Sequence, residues 1–421
     1  MQTGITPAQA LHRVLEHTPV LGTETVSLRD CAGRILAESV VAGRALPPAD
    51  NSAMDGYAVR TGDLADACEA LPISLRVAFE IPAGVAPDRE VGCGEAARIL
   101  TGAPLPRGAD AVVRQEDAER DGDRIRVASA PRPGEHVRRA GEDVLAGEEV
   151  LRPGVCLAPG HVGLLTSLGR GYVAVRQRPR VALVSGGDEL VEPDGDPGGG
   201  RIVASNAYAL AAQCREVGAE PLYLGIARDT PEEIERRLRA GLACDVLVSS
   251  AGVSVGDRDY VRAVLEKLGC RLLFWGVAMK PGYPLAFGRF GENGNGRGPL
   301  VFGLPGNPVS AMVTFEEFVR PALLHMMGHT HLYRPTLRVR LGETLRKAPG
   351  RMHFVRVVLA REGGEVVARS TGGQGSGLLR SMAEAQALLL FPAASTELRE
   401  GEYATVQVLD ASFLAADAPG F

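Results

Sequence analysis

The sequence predicts an α/β protein of several domains, in which a doubly wound parallel sheet forms the central domain. The first observation behind this prediction is length, because 421 residues exceed the roughly 100–200 of one ordinary domain. Second, apolar strands alternate with helices between residues 179 and 329, as in parallel sheets that helices cover on both faces. Third, short apolar runs between Gly and Pro predict mostly β structure on either side of that stretch.

The composition excludes several classes of function. Lys and Arg number 46 against 51 Asp and Glu, so a net charge of −5 offers no basic field for nucleic acid. No apolar run reaches the roughly 18 residues that a membrane helix needs, and the N-terminus lacks the pattern of a signal peptide. Seven scattered cysteines without a CxxC pair are typical of free thiols in a reducing compartment. We therefore expect a cytoplasmic protein with no nucleic-acid or membrane partner.

Changes of pattern along the chain predict four domains. The first helix begins at Thr6 and Pro7 in "TPAQALHRVLEHT", and a later helix-like run is expected to return and pack beside it. The predicted domains are a split helical and linker domain (1–45 and 138–178), a β-rich insertion (46–137), the doubly wound domain (179–329) and a smaller β domain (330–421).

Several strands of the doubly wound domain are predicted to end in short turns that carry an acid or an amide. Ligands of such sheets bind beyond the carboxyl ends of the strands. The residues at these turns are Asp188, Glu189, Asp229, Asp257, Asp259 and Asn307. The glycine turn in "SSAGVSVGDRDY" suits phosphate, but its carboxylates repel phosphate unless a divalent cation bridges them. We therefore predict a nucleotide or phosphate ester bound with Mg²⁺, with Lys280 as a further cation, or else acids that only cap helices.

The same turn also fits the nucleophile elbow GxSxG, with Ser254 between Gly252 and Gly256. A serine hydrolase would need an oxyanion loop of the His-Gly-Gly type, and no such loop precedes this motif. A tight turn that brings backbone close to a ligand is the favoured interpretation.

Nine motifs occur in order along the whole chain and carry a family resemblance. They are "PPADNSAMDGYAV", "LTGAPLPRGADAVVRQED", "RRAGED", "SGGDEL", "SNAYAL", "GVSVGDRDY", "KPGYP", "FGLPGNPVSA" and "GQGSGLLRSMAEAQALLL". With them the chain resembles the molybdopterin molybdenumtransferase family, which includes the E domain of gephyrin. The resemblance implies a split helical domain, a β insertion, a doubly wound domain and a C-terminal β barrel. It also implies a homodimer whose cleft joins the doubly wound domain of one subunit to the β insertion of the other.

The resemblance further implies the reaction and its participants. The substrates are adenylylated molybdopterin and molybdate. Mg²⁺ assists, molybdate enters at the dithiolene, and AMP leaves. Other cofactor-biosynthesis proteins and apo molybdoenzymes are implied as partners.

Motif by motif, the resemblance implies three groups of site residues. The catalytic positions are Asp55, Thr101, Glu189, Asp229, Asp259 and Lys280. Those that bind the cofactor substrate are Arg138, Asp143, Ser254, Gly256, Pro305, Gly306, Asn307, Pro308 and Ser376. The Mg²⁺ ligands are Asp257, Asp259 and Glu189. The chemistry agrees, because an oxyanion and a pyrophosphate linkage need cations and oriented donors, whereas Mg²⁺ needs carboxylates.

Three positions depart from the family's usual pattern. Tyr283 and Gly276 stand where a lysine is often found, and Ala251 replaces a glycine. The loss of two cations would weaken an oxyanion site. An inactive or tungstate-preferring pterin-binding paralogue or scaffold is therefore the alternative to the enzyme, and a serine hydrolase using Ser254 is a remote one.

Overall fold

The computed structural model describes residues 2–82, 84–250, 260–291 and 298–415. Its internal contacts group the chain into two units. The first, called here the sheet–barrel unit, comprises Met1–Glu24 and Arg176–Phe421, and the second, the insertion unit, comprises Thr25–Val175.

A seven-stranded sheet forms the centre of the sheet–barrel unit. Its strands, in spatial order, are Gln2–Ile5, Cys270–Val277, Ala286–Phe290, Leu300–Leu304, Val246–Ser250, Arg180–Gly186 and Glu220–Ala227. The last four run parallel, which confirms the doubly wound prediction. The third strand is antiparallel to both neighbours, because its connections are too short for the crossover of a dozen or more residues that parallel strands need.

Helices follow the strands of this sheet in alternation. They are Ser205–Glu216, Pro231–Gly241, Tyr260–Lys267, Pro308–Thr314 and Arg320–Met326, with a π-helical segment, Phe315–Val319, between the last two. Thr230 starts the second of them, since its side chain accepts a hydrogen bond from the backbone N–H of Glu233 at 3.4 Å.

The N-terminal segment joins this unit, which differs from the expectation that residues 1–45 belong with 138–178. Gln2–Ile5 pairs parallel with Cys270–Val277. The helix Pro7–Glu16 starts at Thr6, as predicted, and packs against Arg320–Met326 instead of the later helix. The physical reason is its apolar stripe, whose buried residues Ala10 and Val14 belong to the main core of this unit.

A closed five-stranded barrel forms the C-terminal part, which confirms the barrel that the resemblance implied. Its strands are Met352–Glu362, Glu365–Ser370, Thr336–Leu341, Tyr403–Val408 and Ala387–Phe391, and the last pairs back onto the first. Closure leaves no free sheet edge. The short strand Met279–Lys280 pairs parallel with Met352–His353, so the connection between the sheet strands Cys270–Val277 and Ala286–Phe290 reaches the barrel. The helix Leu379–Ala383 precedes the final strands.

A six-stranded sheet dominates the insertion unit. Its strands, in spatial order, are Ala111–Arg114, Gly56–Val59, Glu95–Ile99, Ile73–Ile81, Arg124–Val127 and Ala118–Asp121. The helix Pro159–Ser167 belongs to the same unit, and its residue Leu165 packs in a separate core with Leu28 and Leu36.

Shorter elements complete the described chain. Two-stranded pairs join Thr23–Ser27 to Tyr172–Arg176, Val40–Val41 to Glu149–Leu151, Asn51–Ser52 to Val137–Arg138, Leu190–Val191 to Ile202–Val203, and Leu345–Arg346 to Glu397–Leu398. Short 3₁₀ helices span Thr61–Leu64, Gln115–Asp117 and Ser412–Leu414. All seven cysteines are free, as predicted. Within the described ranges, each helix is too short or too polar to span a membrane.

Candidate functional site

Asp55 and Thr101 meet in the insertion unit. The Asp55 carboxylate accepts hydrogen bonds from the Thr101 backbone N–H at 2.7 Å and from the Thr101 hydroxyl at 2.8 Å. The strands beside them pair antiparallel with Gly56 opposite Ile99, which brings the two residues together. The backbone bond, followed by the hydroxyl bond, lowers the pKa of Asp55. The pair therefore presents an ionised, oriented carboxylate at the surface.

Asp50 fixes the segment that carries Arg138 and Asp143. Its carboxylate accepts from the backbone N–H of Ala140 at 2.8 Å and from the Arg139 guanidinium at 2.6 Å. These two hydrogen bonds, the backbone one first, lower the pKa of Asp50. The residue after Asp50 lies opposite Arg138 in a short antiparallel ladder. Arg138 and Asp143 are both exposed, so their charges are available to a ligand.

Glu189 and Asp229 lie beyond the carboxyl ends of two neighbouring parallel strands, as predicted. The backbone N–H of Asp229 donates to the Asp188 carboxylate at 3.1 Å, and Arg228 donates to the Asp188 carbonyl at 2.9 Å. A methyl group at Gly187 would lie only 2.5 Å from the Glu189 carboxylate. Gly187 also has a φ of +142°, and this backbone conformation is the reason that the turn favours glycine, because the Glu189 side chain could move away from a methyl group.

The loop Pro305–Pro308 comes next to Ser376, although the two are far apart in sequence. It follows the strand Leu300–Leu304, and Asn307 stands directly before the helix without a side-chain capping bond. Asn206 donates to the Gly306 carbonyl at 2.8 Å. The backbone N–H of Val309 donates to the Ser376 carbonyl at 3.1 Å. The structure thus brings together these predicted binding residues around one helix N-terminus.

Lys280 lines a different feature, a cavity of about 380 Å³ where its strand meets the barrel. We call it the cation cavity, because its described lining contains five basic residues and no carboxylate. The polar residues of this lining are Lys280, Arg346, Lys347, Arg351, His353, Arg356 and Gln374. The sequence predicted only Lys280 among them.

Arg356 is the most unusual member of the cation cavity. Its side chain is 1% exposed, and within the described residues it has no carboxylate partner. Its guanidinium donates to the Ser381 hydroxyl at 3.1 Å and to the Gly375 carbonyl at 3.1 Å. Gln374 holds the backbone of Arg356 from both sides, accepting from its N–H at 2.9 Å and donating to its carbonyl at 3.2 Å. Burial lowers the pKa of Arg356, which marks the cost of keeping this charge away from water.

The positive charges of the cavity also act on His353. Burial, and then the charges of Lys347, Lys280 and Arg351, lower the pKa of His353 to about 4. His353 is therefore neutral at neutral pH. Lys347 donates to the Ala393 carbonyl at 3.2 Å, and burial lowers its pKa too. Burial is the first cause of the lowered pKa at His353, Lys347 and Arg356.

Four predicted residues, Ser254, Gly256, Asp257 and Asp259, lie outside the described residues. Two of them were predicted to bind Mg²⁺ together with Glu189. Within the described ranges, no group of three or more His, Cys, Asp or Glu residues is arranged to hold a metal ion. Of the three predicted Mg²⁺ ligands, only Glu189 therefore lies within the described residues.

Sequence reasoning missed Asp50, Arg351 and Arg356. Asp50 stands within a quoted motif, and its position five residues before Asp55 was the available signal. Arg356 interrupts the continuous apolar run from Phe354 to Ala360, where a buried arginine is rare. That anomaly was the signal that would have identified it.

Three family models match the chain in sequence. Residues 5–169 match the MoeA N-terminal region (domain I and II), 182–325 a probable molybdopterin binding domain, and 338–409 the MoeA C-terminal region (domain IV). The order of these matches agrees with the order of the motifs.

Individual relatives match over nearly their full length. A molybdopterin molybdenumtransferase of Nostoc sp. is 38% identical, over 90% of this chain and 87% of that protein. One from Haemophilus influenzae is 36% identical, over 96% and 98%. A solved structure, the molybdopterin biosynthesis moeA protein from Pyrococcus horikoshii OT3, aligns with a TM-score of 0.80 at 33% identity, covering 96% of this chain and 100% of that one. The chain therefore belongs to the molybdopterin molybdenumtransferase family, whose enzymes act in molybdenum cofactor biosynthesis.

Proposed function

We propose that this chain inserts molybdate into adenylylated molybdopterin and releases AMP in a Mg²⁺-dependent step. The observation that carries the proposal is the buried Arg356 in a cavity with four further basic residues and no carboxylate in its described lining. A buried, unpaired charge is strongly destabilising, so a site of this kind is maintained where an anion binds. Molybdate is a tetrahedral dianion, and the guanidinium and ammonium groups supply the donors that it needs.

The pterin end of the substrate is proposed to bind at Pro305–Pro308. Two contacts support this placement. Ser376 hydrogen-bonds beside the loop, and Gly375, its neighbour, accepts a hydrogen bond from Arg356. The loop and the cation cavity are therefore connected through two consecutive residues. A dithiolene held at the loop would lie within reach of molybdate in the cavity.

The proposal places Mg²⁺ at Glu189 together with Asp257 and Asp259. Carboxylate oxygens suit this ion, which needs only one or two of them besides phosphate oxygens and water. Bound there, the ion would neutralise charge on the pyrophosphate linkage. The backbone N–H of Asp229 donates to Asp188, the sequence neighbour of Glu189. The Asp229 carboxylate is proposed to orient a water.

The proposal also includes a homodimer with a shared cleft. One subunit contributes Asp55, Thr101, Arg138 and Asp143, and the other contributes the residues of the strand ends and the cation cavity. The four-domain division given above, with residues 1–24 reassigned to the sheet–barrel unit, is part of the proposal. So are the cytoplasmic location, which seven free thiols support, and delivery to apo molybdoenzymes.

The test is an insertion assay with purified protein, adenylylated molybdopterin and molybdate. AMP release is followed by chromatography, and active cofactor by reconstitution of an apo molybdoenzyme. We expect both products with Mg²⁺ and neither after chelation. Arg356→Gln should lower the insertion rate about 100-fold, the usual effect of removing one donor from a preorganised anion site.

Arg361→Gln is the matched control, because Arg361 lies in the same strand but is exposed and outside the cavity. It should retain the wild-type rate. Pterin binding without AMP release would instead support the scaffold alternative, and a higher rate with tungstate would support the tungstate-preferring one. A reaction of Ser254 with a fluorophosphonate probe would support the hydrolase.

A further inference from the structure

The ring of Tyr283 is enclosed by three neighbours. A methyl group at Gly276 would lie 3.3 Å from its ring carbon Cζ and 3.4 Å from its hydroxyl oxygen, and Gly276 has a φ of +82°. Trp275 contacts the ring edge-on, with ring centroids 5.8 Å apart at 86°. The guanidinium carbon of Arg351 lies 4.4 Å from the ring centroid. The ring is thus a platform for a cation, and the tight contact and the positive φ together favour glycine at position 276.

The backbone holds the platform next to the cation cavity. The Tyr283 carbonyl accepts hydrogen bonds from the N–H groups of Val277 and Leu285, each at 2.9 Å. The short strand Met279–Lys280 lies between Val277 and Tyr283 in the sequence. It pairs with Met352 and His353, the two residues that follow Arg351. Tyr283 and Arg351 therefore face each other across a short ladder, and Arg351 lines the cavity together with Lys280.

Arg351 depends on this platform for its position. Its side chain is exposed, and within the described residues it makes neither an ion pair nor a side-chain hydrogen bond. A long, exposed arginine without such contacts samples many rotamers. Stacking on an aromatic face attracts the guanidinium while leaving its N–H groups free to bind an anion. The charge of Arg351 also contributes to lowering the pKa of His353, which agrees with a position at the cavity.

We propose that Tyr283 is a positioning residue, which holds the Arg351 guanidinium at the Lys280 end of the cavity for binding of the tetrahedral oxyanion. Gly276 contributes to the same arrangement, because it leaves room for the Tyr283 ring. Gly276 and Tyr283 occupy the two positions where relatives often carry lysine. Together they position the Arg351 guanidinium. The inference rests on the proposed function. It gives the oxyanion site a cation, Arg351, in place of the lysines that this sequence lacks.

The test uses molybdate alone as the probe, without pterin. Trp275 is the only tryptophan of the chain, and its emission reports on the adjacent ring. Titrations by Trp275 fluorescence, repeated by calorimetry, give the molybdate affinity of the wild type, Tyr283→Phe, Tyr283→Leu, Arg351→Gln and the double variant Tyr283→Leu/Arg351→Gln. Thermal melting shows that each variant is folded.

Tyr283→Phe keeps the platform and should bind molybdate within about twofold of the wild type. Tyr283→Leu and Arg351→Gln should each weaken binding about tenfold, and the double variant should be no weaker than either, since both remove one interaction. In the insertion assay, the loss should appear in the half-saturating molybdate concentration and leave the maximal rate unchanged.

Two results would overturn the inference. They are wild-type affinity in Tyr283→Leu and additive losses in the double variant. Failure of the proposed function is distinguishable, because it would appear as absence of AMP release in the wild type whatever the variants bind.

Discussion

At the scale of single residues, the Asp55–Thr101 pair shows how a turn prepares a carboxylate for chemistry. Two donors from one residue converge on the same oxygen of Asp55. Hydrogen bonds to the charged form favour ionisation, so the pKa of Asp55 lies below its ordinary value. Such a group stabilises the folded state above the ordinary pKa, and this contribution is lost as the pH falls through the lowered value.

Thr101→Val tests this pair. Valine keeps the shape and the backbone N–H but removes the hydroxyl, so the pKa of Asp55 should rise part of the way to its ordinary value. The acid loss of stability should accordingly begin at a higher pH. We expect the insertion rate to fall about 10–100-fold, the size of a lost hydrogen bond to a charged group. Carbon NMR titration of labelled aspartate measures the pKa.

The control is Thr61→Val, because Thr61 makes an equivalent pair with Asp110, with both hydrogen bonds at 2.7 Å. It should leave insertion intact. An unchanged Asp55 titration in Thr101→Val, or an equal loss of insertion in both variants, would contradict the role given to Thr101.

At the scale of elements, the π-helical segment Phe315–Val319 places two glutamates against the barrel. Glu316 is buried and pairs with Arg334 at 2.6 Å and Arg320 at 3.3 Å. Glu317 has no ion pair among the described residues and accepts a hydrogen bond from Gln407 of the barrel at 3.2 Å. Part of the Glu317 side chain remains accessible, yet protein atoms surround its carboxyl group. Burial, with a contribution from Glu316, raises its pKa to about 8.

The raised pKa gives a pH dependence of definite sign. Between the ordinary pKa of a glutamate and about 8, the folded state binds a proton that the unfolded state has released. Stability should therefore be full at low pH within this window and decrease as the pH rises through about 8. Glu317→Gln imitates the protonated form, so its stability should change less over the same window. Urea unfolding from about pH 5 to about pH 9 measures both proteins.

Glu343→Gln serves as the control, because Glu343 is also a glutamate that accepts a hydrogen bond within the barrel part, from the backbone N–H of Ser370. Its stability should follow the wild-type pH dependence. If the free energy of unfolding changes equally with pH in Glu317→Gln and in the wild type, Glu317 is ionised in the folded protein.

At the scale of the whole molecule, the proposed homodimer makes a quantitative prediction. Asp55→Ala and Lys280→Ala should each abolish insertion. If the two variants are unfolded and refolded together, random pairing makes half of the dimers mixed. Each mixed dimer carries one intact site and one doubly altered site, so about a quarter of the wild-type activity should return.

Differently tagged subunits verify that mixed dimers form. A mixture that stays inactive despite mixed dimers would place Asp55 and Lys280 in a site within one chain. Sedimentation of the wild type provides an independent check, because a monomer at working concentration would exclude the shared cleft.

The sequence by itself determined the elements whose signals are local. The alternation of strands and helices predicted the doubly wound sheet, and Thr6 with Pro7 predicted the first helix start. Acids at the strand ends were placed correctly at Glu189 and Asp229, because in a parallel sheet the chain direction alone decides which ends meet.

Only the tertiary structure decided where the first helix packs and how the cation cavity is composed. The stripe of Ala10 and Val14 is equally apolar whatever core receives it, so its partner could not be read from its own sequence. Lys280 and Arg356 line one cavity because Met279–Lys280 pairs with a barrel strand more than seventy residues later. Periodicity reports only on neighbours within one element, whereas this pairing joins two segments that are distant in the sequence. For the same reason, the sequence shows only that Tyr283 stands where a lysine is often found, whereas the fold shows the Arg351 guanidinium over its ring.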